Sequence, residues 1–207
     1  MAERKTRSNG RETMAKVLVH ARRELDEVGP VKFNILRVIE NSGVARSSLY
    51  HHFGGRDGVI AAVEVDRMAS ETTLINLALK GMIETVETRE AALDAIRAVL
   101  VATGDSAGRR QRAHRIAVFA TAQNIPLLSE RLRENQLRGN QIMAETLKIA
   151  EERGLVSKVG NPDGVAHFVA SLFMGRVTVD LLDDQSVDAA WIDTVMETIG
   201  SLLPAVN

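Results

Sequence analysis

Gly43 stands between two short segments of helical periodicity, residues 34–41 and 45–53, and the corner it forms limits what this chain can fold into more than any other feature. In the first segment Ile35, Val38 and Ile39 fall on one face at helical spacing. Gly43 supplies the left-handed backbone conformation that a sharp helix-to-helix corner requires. Val44 and Leu49 are placed to pack the second helix back onto the first, which leaves Arg46, Ser47, Ser48, Tyr50 and His51 largely outward. The pattern predicts a helix-turn-helix whose outer surface carries cationic and hydrogen-bonding groups suited to base edges and phosphates.

The same periodicity continues to the end of the chain, with no convincing run of strand alternation. Met14, Val17, Leu18, Ala21, Leu25 and Val28 form the stripe of a first helix, which Gly29-Pro30 terminates. Pro126 opens a long helix to about residue 153, closed by Gly154; Asn161-Pro162 caps and starts another; Pro204 closes the last. The helix that Asn161-Pro162 starts takes in residues 165–182, the one that Pro204 closes spans about 188–203, and the remaining helices are expected at about 55–82, 89–103 and 109–123. The chain is therefore predicted to be all-α, with a three-helix head, a connecting fourth helix and a five-helix body. Val165, Phe168, Leu172, Gly175, Val179 and Leu182 make an apolar surface too rich for one neighbouring helix, and Trp191, Ile192, Val195, Ile199 and Leu202 add a second. By themselves such stripes fit either a subunit interface or a monomer core.

Composition excludes several classes. A chain of 207 residues, 45% hydrophobic, is long enough to bury a core in one or two domains. Without cysteine it has no disulfide, thiolate metal site or cysteine nucleophile, which is compatible with a reducing cytoplasm. The polar, charged start is not followed by the apolar core of a signal peptide, so nothing directs export. Residues 165–182 are the most apolar stretch, but His167, Ser171 and Arg176 interrupt it, and it reads as a buried helix rather than a membrane span. The net charge of −1 conceals an asymmetry: residues 1–60 carry 11 Lys and Arg against 7 Asp and Glu, the remainder 15 against 20. A basic head on an acidic body fits a protein that docks one end onto phosphate.

No catalytic, metal or cofactor constellation accompanies this pattern. Residues 104–108 match G-x-S-x-G, yet a nucleophile elbow needs a preceding strand, and 91–103 reads as helix; the segment is predicted to be a helix–helix loop. His51 and His52 are adjacent, so on a helix they diverge by roughly 100° and do not readily share a metal. No glycine-rich phosphate loop occurs. The expectation is a protein that binds rather than catalyses, with no cofactor.

From Arg11 to about Ile60 the chain resembles the tetracycline-repressor (TetR-like) family of bacterial transcription regulators. The resemblance is carried by a polar cap at Asn34, Gly43-Val44, the polar triplet Arg46-Ser47-Ser48, Leu49-Tyr50, His52-Phe53 and the basic Arg56 before the next helix. Ala45 departs from it where the family usually has a capping serine, and Ile39 where a small residue usually lets the helices approach. The resemblance implies a flexible basic arm over 1–10, with Arg4, Lys5 and Arg7 near DNA, a DNA-binding domain over 11–60, and a ligand-binding and dimerisation domain over 61–207. Arg46, Ser47 and Ser48 would read bases, Asn34, Tyr50 and Arg56 would fix the backbone register, and His51 would do either.

The resemblance further implies a cytoplasmic homodimer on a roughly palindromic operator of double-stranded DNA, its last two helices forming the subunit interface. A small-molecule effector would bind among His114, Phe119, Gln123, Met143, His167, Ser171 and Met174, change the spacing of the heads and release the DNA. His167 stands out, because an imidazole in an otherwise apolar helix needs a hydrogen-bond partner. The departures at Ala45 and Ile39 leave open a rival: a helical small-molecule-binding or protein-interaction module whose head no longer reads DNA.

Overall fold

The computed structural model describes the backbone of residues 2–206 and the side chains of residues 12–206 apart from Thr72. Among the described residues there are ten helices and no strand: α1 (Ala2–Lys32), α2 (Ile35–Ser42), α3 (Arg46–Phe53), α4 (Arg56–Ile83), α5 (Arg89–Ala102), α6 (Ser106–Ala122), α7 (Pro126–Glu152), α8 (Pro162–Gly175), α9 (Val177–Asp180) and α10 (Gln185–Leu202). The all-α expectation holds, and most boundaries fall within a few residues of those read from the sequence. Two segments differ. The backbone is helical from Ala2, where an arm is expected over 1–10, while the side chains of Arg4, Lys5 and Arg7 lie outside the described residues. The helix expected over 165–182 is divided: α8 ends at Gly175, the wholly buried Arg176 keeps a right-handed backbone, and α9 runs only from Val177 to Asp180.

The chain divides into two compact units. The N-terminal unit comprises Met1–Ala69 and Val118–Glu134. Its core gathers Val17, Ala21, Val38, Leu49, Ile60 and Leu128, all nearly or wholly buried. Gly29, at φ 70°, kinks α1 just before Pro30, so the apolar stripe ends where the sequence places its end. Asn34 then caps α2, its Oδ1 accepting from Leu36 N at 2.9 Å. The buried carboxylate of Glu24 accepts from Asn34 N at 3.3 Å and lies 3.5 Å from Arg37, which ties α1 to the start of α2.

The C-terminal unit comprises Ser70–Ala117 and Asn135–Asn207. Leu100, Leu147, Val159, Ile192, Val195 and Ile199 lie in its core. Three residues of the α10 stripe, Ile192, Val195 and Ile199, are thus buried within the subunit and are not exposed to a partner. The stripe over 165–182 is also split: Leu172 packs on the core, whereas Phe168 is 41% exposed and Leu182 62% exposed.

Three helix C-termini in this unit, those of α4, α5 and α10, are closed by arginines from outside the helix concerned. The last carbonyls of a helix have no partner within it and carry the negative end of its dipole, so a guanidinium satisfies both the bond and the charge. Arg89 donates to Gly200 O and Leu203 O at the end of α10, at 2.9 Å each. Arg153 donates to Ile83 O at the end of α4. At the end of α5, Arg176 donates to Leu100 O and Arg112 to Thr103 O, at 2.6 Å each. Arg176, 0% exposed, also grips Asp188 through Nε at 3.1 Å and Nη2 at 2.7 Å, and its Cζ lies 4.9 Å from the centre of the Trp191 ring.

Removing one member of a buried pair leaves the other charge uncompensated. Asp188→Ala is therefore expected to cost about 3–5 kcal/mol. Asp193→Ala, at the exposed Arg97–Asp193 pair, is expected to cost under about 1 kcal/mol. Urea unfolding followed by Trp191 fluorescence checks both, and equal midpoints for the two variants contradict the assignment.

Candidate nucleic-acid interface

The corner at Gly43 has the geometry its sequence demands. Gly43 adopts φ 64°, ψ 15°, and its N–H donates to Ile39 O at 3.1 Å, closing α2. Leu49, 0% exposed, anchors α3 in the core, and Val44 packs beside it. With that face fixed inward, Arg46, Ser47, Tyr50 and His51 are exposed and Ser48 is half-buried. These side chains share the outer surface of one eight-residue helix, α3.

Arg46 and Tyr50, one turn apart, interact directly: the Arg46 Cζ lies 5.4 Å from the centre of the Tyr50 ring. The contact orders a cation and a phenol on the face that sequence reasoning assigns to bases and phosphates. His51 and His52 meet edge to face with centroids 5.2 Å apart. Among the described residues there is no group of three or more His, Cys, Asp and Glu able to hold a metal ion. Ala45 makes no side-chain cap to α3, as its residue type dictates. The first-turn N–H groups of α3 therefore keep the helix dipole's positive end without a protein oxygen supplied by the cap.

Asn34 and Arg56 differ from the outward residues in how they are held. Asn34 Oδ1 is engaged in capping α2. Arg56 opens α4 and donates through Nε to Phe33 O at 3.3 Å, through Nη2 to Pro30 O and through Nη1 to Asp57 Oδ1 at 2.9 Å. A cation at a helix N-terminus suggests a missing anion when only its own helix is considered. Here the end of α1 supplies the negative pole, which the order of residues along the chain does not reveal.

The G-x-S-x-G segment is a helix start. Asp105 Oδ1 accepts from Gly108 N at 2.7 Å, capping α6, and no strand precedes it. A Cβ on Gly104 would lie 2.6 Å from Arg176 Nη2 and 3.1 Å from Asp188 Oδ2, so only glycine fits beside that ion pair. Sequence reasoning missed the role of this glycine because the pair it accommodates is more than 70 residues away.

The C-terminal unit contains two cavities, both partly open. One, of about 60 Å³, is almost wholly apolar and lined by residues including Leu79, Ile96, Leu100, Leu147 and Ile199. The other, of about 80 Å³, is lined by Arg115, Gln136, Asn140 and Met174 among others. Met143 lines both. Of the residues assigned from the sequence to an effector pocket, Met143 and Met174 line these cavities, whereas His114, Phe119, Gln123, His167 and Ser171 line neither. Phe119 packs on the core of the N-terminal unit, and Gln123, His167 and Ser171 are exposed. His167 finds the partner its ring requires in Asn140, whose Nδ2 is 2.7 Å from Nδ1. Arg115, Gln136 and Asn140 were missed, because a polar residue on a helix reads as solvent-facing until the fold encloses it. Burial pulls the Arg115 guanidinium below its ordinary pKa, nearby Glu71 opposing the shift and Arg112 adding to it.

Residues 17–63, which contain the whole helix-turn-helix, match the model of the bacterial regulatory proteins of the tetR family. Solved structures share the fold across nearly the entire chain. Salmonella enterica GusR has 17% identity and a TM-score of 0.66, with 93% of this chain and 95% of that chain covered. A TetR transcription regulator from Haloarcula marismortui has 16% identity and a TM-score of 0.66, covering 93% and 99%. A TetR-family transcriptional regulator from Pectobacterium atrosepticum has 18% identity and a TM-score of 0.63, covering 97% and 99%. Comparison with curated protein sequences finds no match.

Two substitutions test how the interface is held. Ala45 has φ −58° and ψ 135°, an extended backbone that a capping serine tolerates, so Ala45→Ser is expected to add about 1 kcal/mol to the stability of the N-terminal unit. Arg56→Ala removes a charged donor from the carbonyl end of α1 and is expected to cost about 1.5–3 kcal/mol. Amide hydrogen exchange in α2 and α3 reports both; faster exchange in Ala45→Ser contradicts the first and unchanged exchange in Arg56→Ala the second.

Proposed function

We propose that this chain, a TetR-like DNA-binding transcriptional regulator, acts as a homodimeric repressor that a small-molecule effector releases from its operator. The observation that carries the reading is the surface of α3, where Leu49 is wholly buried while Arg46, Ser47, Tyr50 and His51 are exposed on a helix fixed by the Gly43 corner. Each subunit lays residues 45–51 in a major groove. Arg46 with Ser47 and Ser48 reads base edges, Tyr50 meets phosphate, and His51 lies within reach of either. Asn34 and Arg56 act on register by holding the backbone around the end of α1 and the start of α2. The first-turn N–H groups of α3, left without a side-chain cap by Ala45, are suited to a phosphate oxygen.

The dimer is proposed to form through the outward faces of α8 and α10. Phe168, Ser171 and Gly175 are exposed at three- and four-residue steps on α8, and α10 presents Ala190, Thr194 and Ser201. A two-fold contact of this kind puts two copies of α3 on one side of the duplex, which calls for a roughly palindromic operator. No helix among the described residues is long and apolar enough to cross a membrane, which accords with action on cytoplasmic DNA. The family is one of regulators rather than enzymes, in keeping with a chain read as a binder.

Operator sequence selected from a random DNA pool provides the test. Arg46→Ala is expected to lose about 1–3 kcal/mol of discrimination between selected and scrambled DNA while retaining salt-dependent binding to both. Sequence-blind loss in this variant counts against base reading by Arg46. Phe168→Asp is expected to convert the dimer to a folded monomer by light scattering, and a monomeric unmodified chain at micromolar concentration contradicts the interface.

A further inference from the structure

The last turn of α3 holds two adjacent imidazoles, of which the assignments to bases and phosphate use only His51. His51 and His52 are both exposed. His51 lies one turn beyond Ser47 and His52 one turn beyond Ser48, so each continues a face that carries the proposed base-reading side chains. Leu49 and Phe53, also one turn apart, pack on the core from the other side of the helix. From Arg46 to His52 the helix rises about 9 Å, less than the roughly 12 Å width of a major groove, so both rings come within the groove and its phosphate walls.

The two rings meet edge to face, and among the described residues neither has a hydrogen bond or an ion pair. The carboxylates of the neighbouring helices are engaged elsewhere. On α1, Glu12 pairs with Lys16, Glu24 with Arg37, Asp26 with Arg67 and Glu27 with Arg23. On α4, Asp57 is held by Arg56 and Asp66 by Arg22, while Glu64 is buried. Glu40 is exposed on α2, and His20 is half-buried on α1. The remaining cations at this end of the unit are Lys32, in the last turn of α1, and Arg46, which lies against the Tyr50 ring. No described carboxylate is paired with either imidazole, so no fixed anion has to be displaced when phosphate approaches.

We propose that His51 and His52 form a proton site that DNA completes, so that operator binding draws about one proton onto the pair and affinity rises as the pH falls. The inference rests on the DNA-binding reading above and adds His52 to the residues that meet the duplex. Imidazole is the side chain whose charge changes between about pH 5 and 8. Duplex DNA presents one negative charge per about 1.7 Å of its axis, which favours imidazolium over imidazole. The last turn of a helix is also its negative end, where positive charge is tolerated. The complex therefore keeps the proton to a higher pH than the free chain does. By linkage, a group that holds its proton more firmly in the complex contributes affinity at low pH and loses that contribution as the pH rises through its titration in the complex. Two like charges 5.2 Å apart disfavour each other by roughly fourfold in water, so the second proton is opposed and the pair takes up about one rather than two.

Titration of the full chain with DNA selected from a random pool, at constant ionic strength from about pH 6 to 8, tests the proposal. Affinity is expected to be about tenfold higher at the acid end. Calorimetry of the same binding in buffers of different ionisation enthalpy counts the protons, and no uptake overturns the proposal. The double variant His51→Gln, His52→Gln is expected to flatten the profile at the affinity of the alkaline limb, and His52→Gln alone to remove part of the slope. Both side chains are exposed, so the substitutions leave the core intact. A profile unchanged in His52→Gln overturns the role of His52, and a slope that persists in the double variant belongs to another group and overturns the proposal as a whole. Selected DNA bound equally at every pH refutes proton uptake and leaves the regulator standing. A chain that selects no DNA at any pH overturns both readings.

Discussion

Helix ends are the main electrostatic problem of an all-helical chain, and here arginine is the recurrent answer to it. Every helix leaves its last carbonyls without partners in their own segment, and a compact fold brings several of those ends out of water. Arg56 closes α1, Arg153 closes α4, Arg112 and Arg176 close α5, and Arg89 closes α10. Arg56 and Arg89 open their helices, Arg112 lies within α6, Arg153 follows α7 and Arg176 stands between α8 and α9, so in each case satisfying the backbone at one helix end also fixes another part of the chain against it. A guanidinium suits this because its donors are fanned and it stays charged at any physiological pH.

The same device sets the stage for the functional surfaces. Around Gly43, α3 has only eight residues and no side-chain cap at its start, too little to be stable alone. It is ordered by Leu49 from beneath and by a neighbouring framework that Arg56 and Glu24 tie together. The exposed groups on α3 can then be cationic and hydrogen-bonding without cost to the core. In the C-terminal unit, the buried Arg176–Asp188 pair lies just past the end of α8, and Gly104 is the small residue that makes room for it.

Local chemistry was legible in the sequence; enclosure was not. The left-handed Gly43, the Asn34 and Asn161 caps and the inward Leu49 follow from residue type and spacing, and all are present. The run from 165 to 182 misled because periodicity treats Arg176 as an interruption in an apolar face, whereas its hydrogen bonds reach as far as Leu100. His167 was singled out as an imidazole in need of a partner, and Asn140 fills that need at the surface. Arg115 carried no sequence signal, since an arginine on an amphipathic helix is usually solvated and only the fold puts it beside a cavity.

The N-terminal unit is not contiguous in the chain: Val118, Ala122, Ile125, Leu128 and Leu132 belong to its core together with residues from the first 69. A ribosome that has released only those 69 residues has therefore exposed an incomplete domain, with Val17, Leu49 and Ile60 short of part of their apolar cover. The missing piece arrives after roughly another 65 residues, which at about 5–20 residues per second is a wait of several seconds. During that interval the nascent helix-turn-helix lacks part of the core it shares with residues 118–134. The chain thus delays completion of its helix-turn-helix unit until much of the following unit has been made.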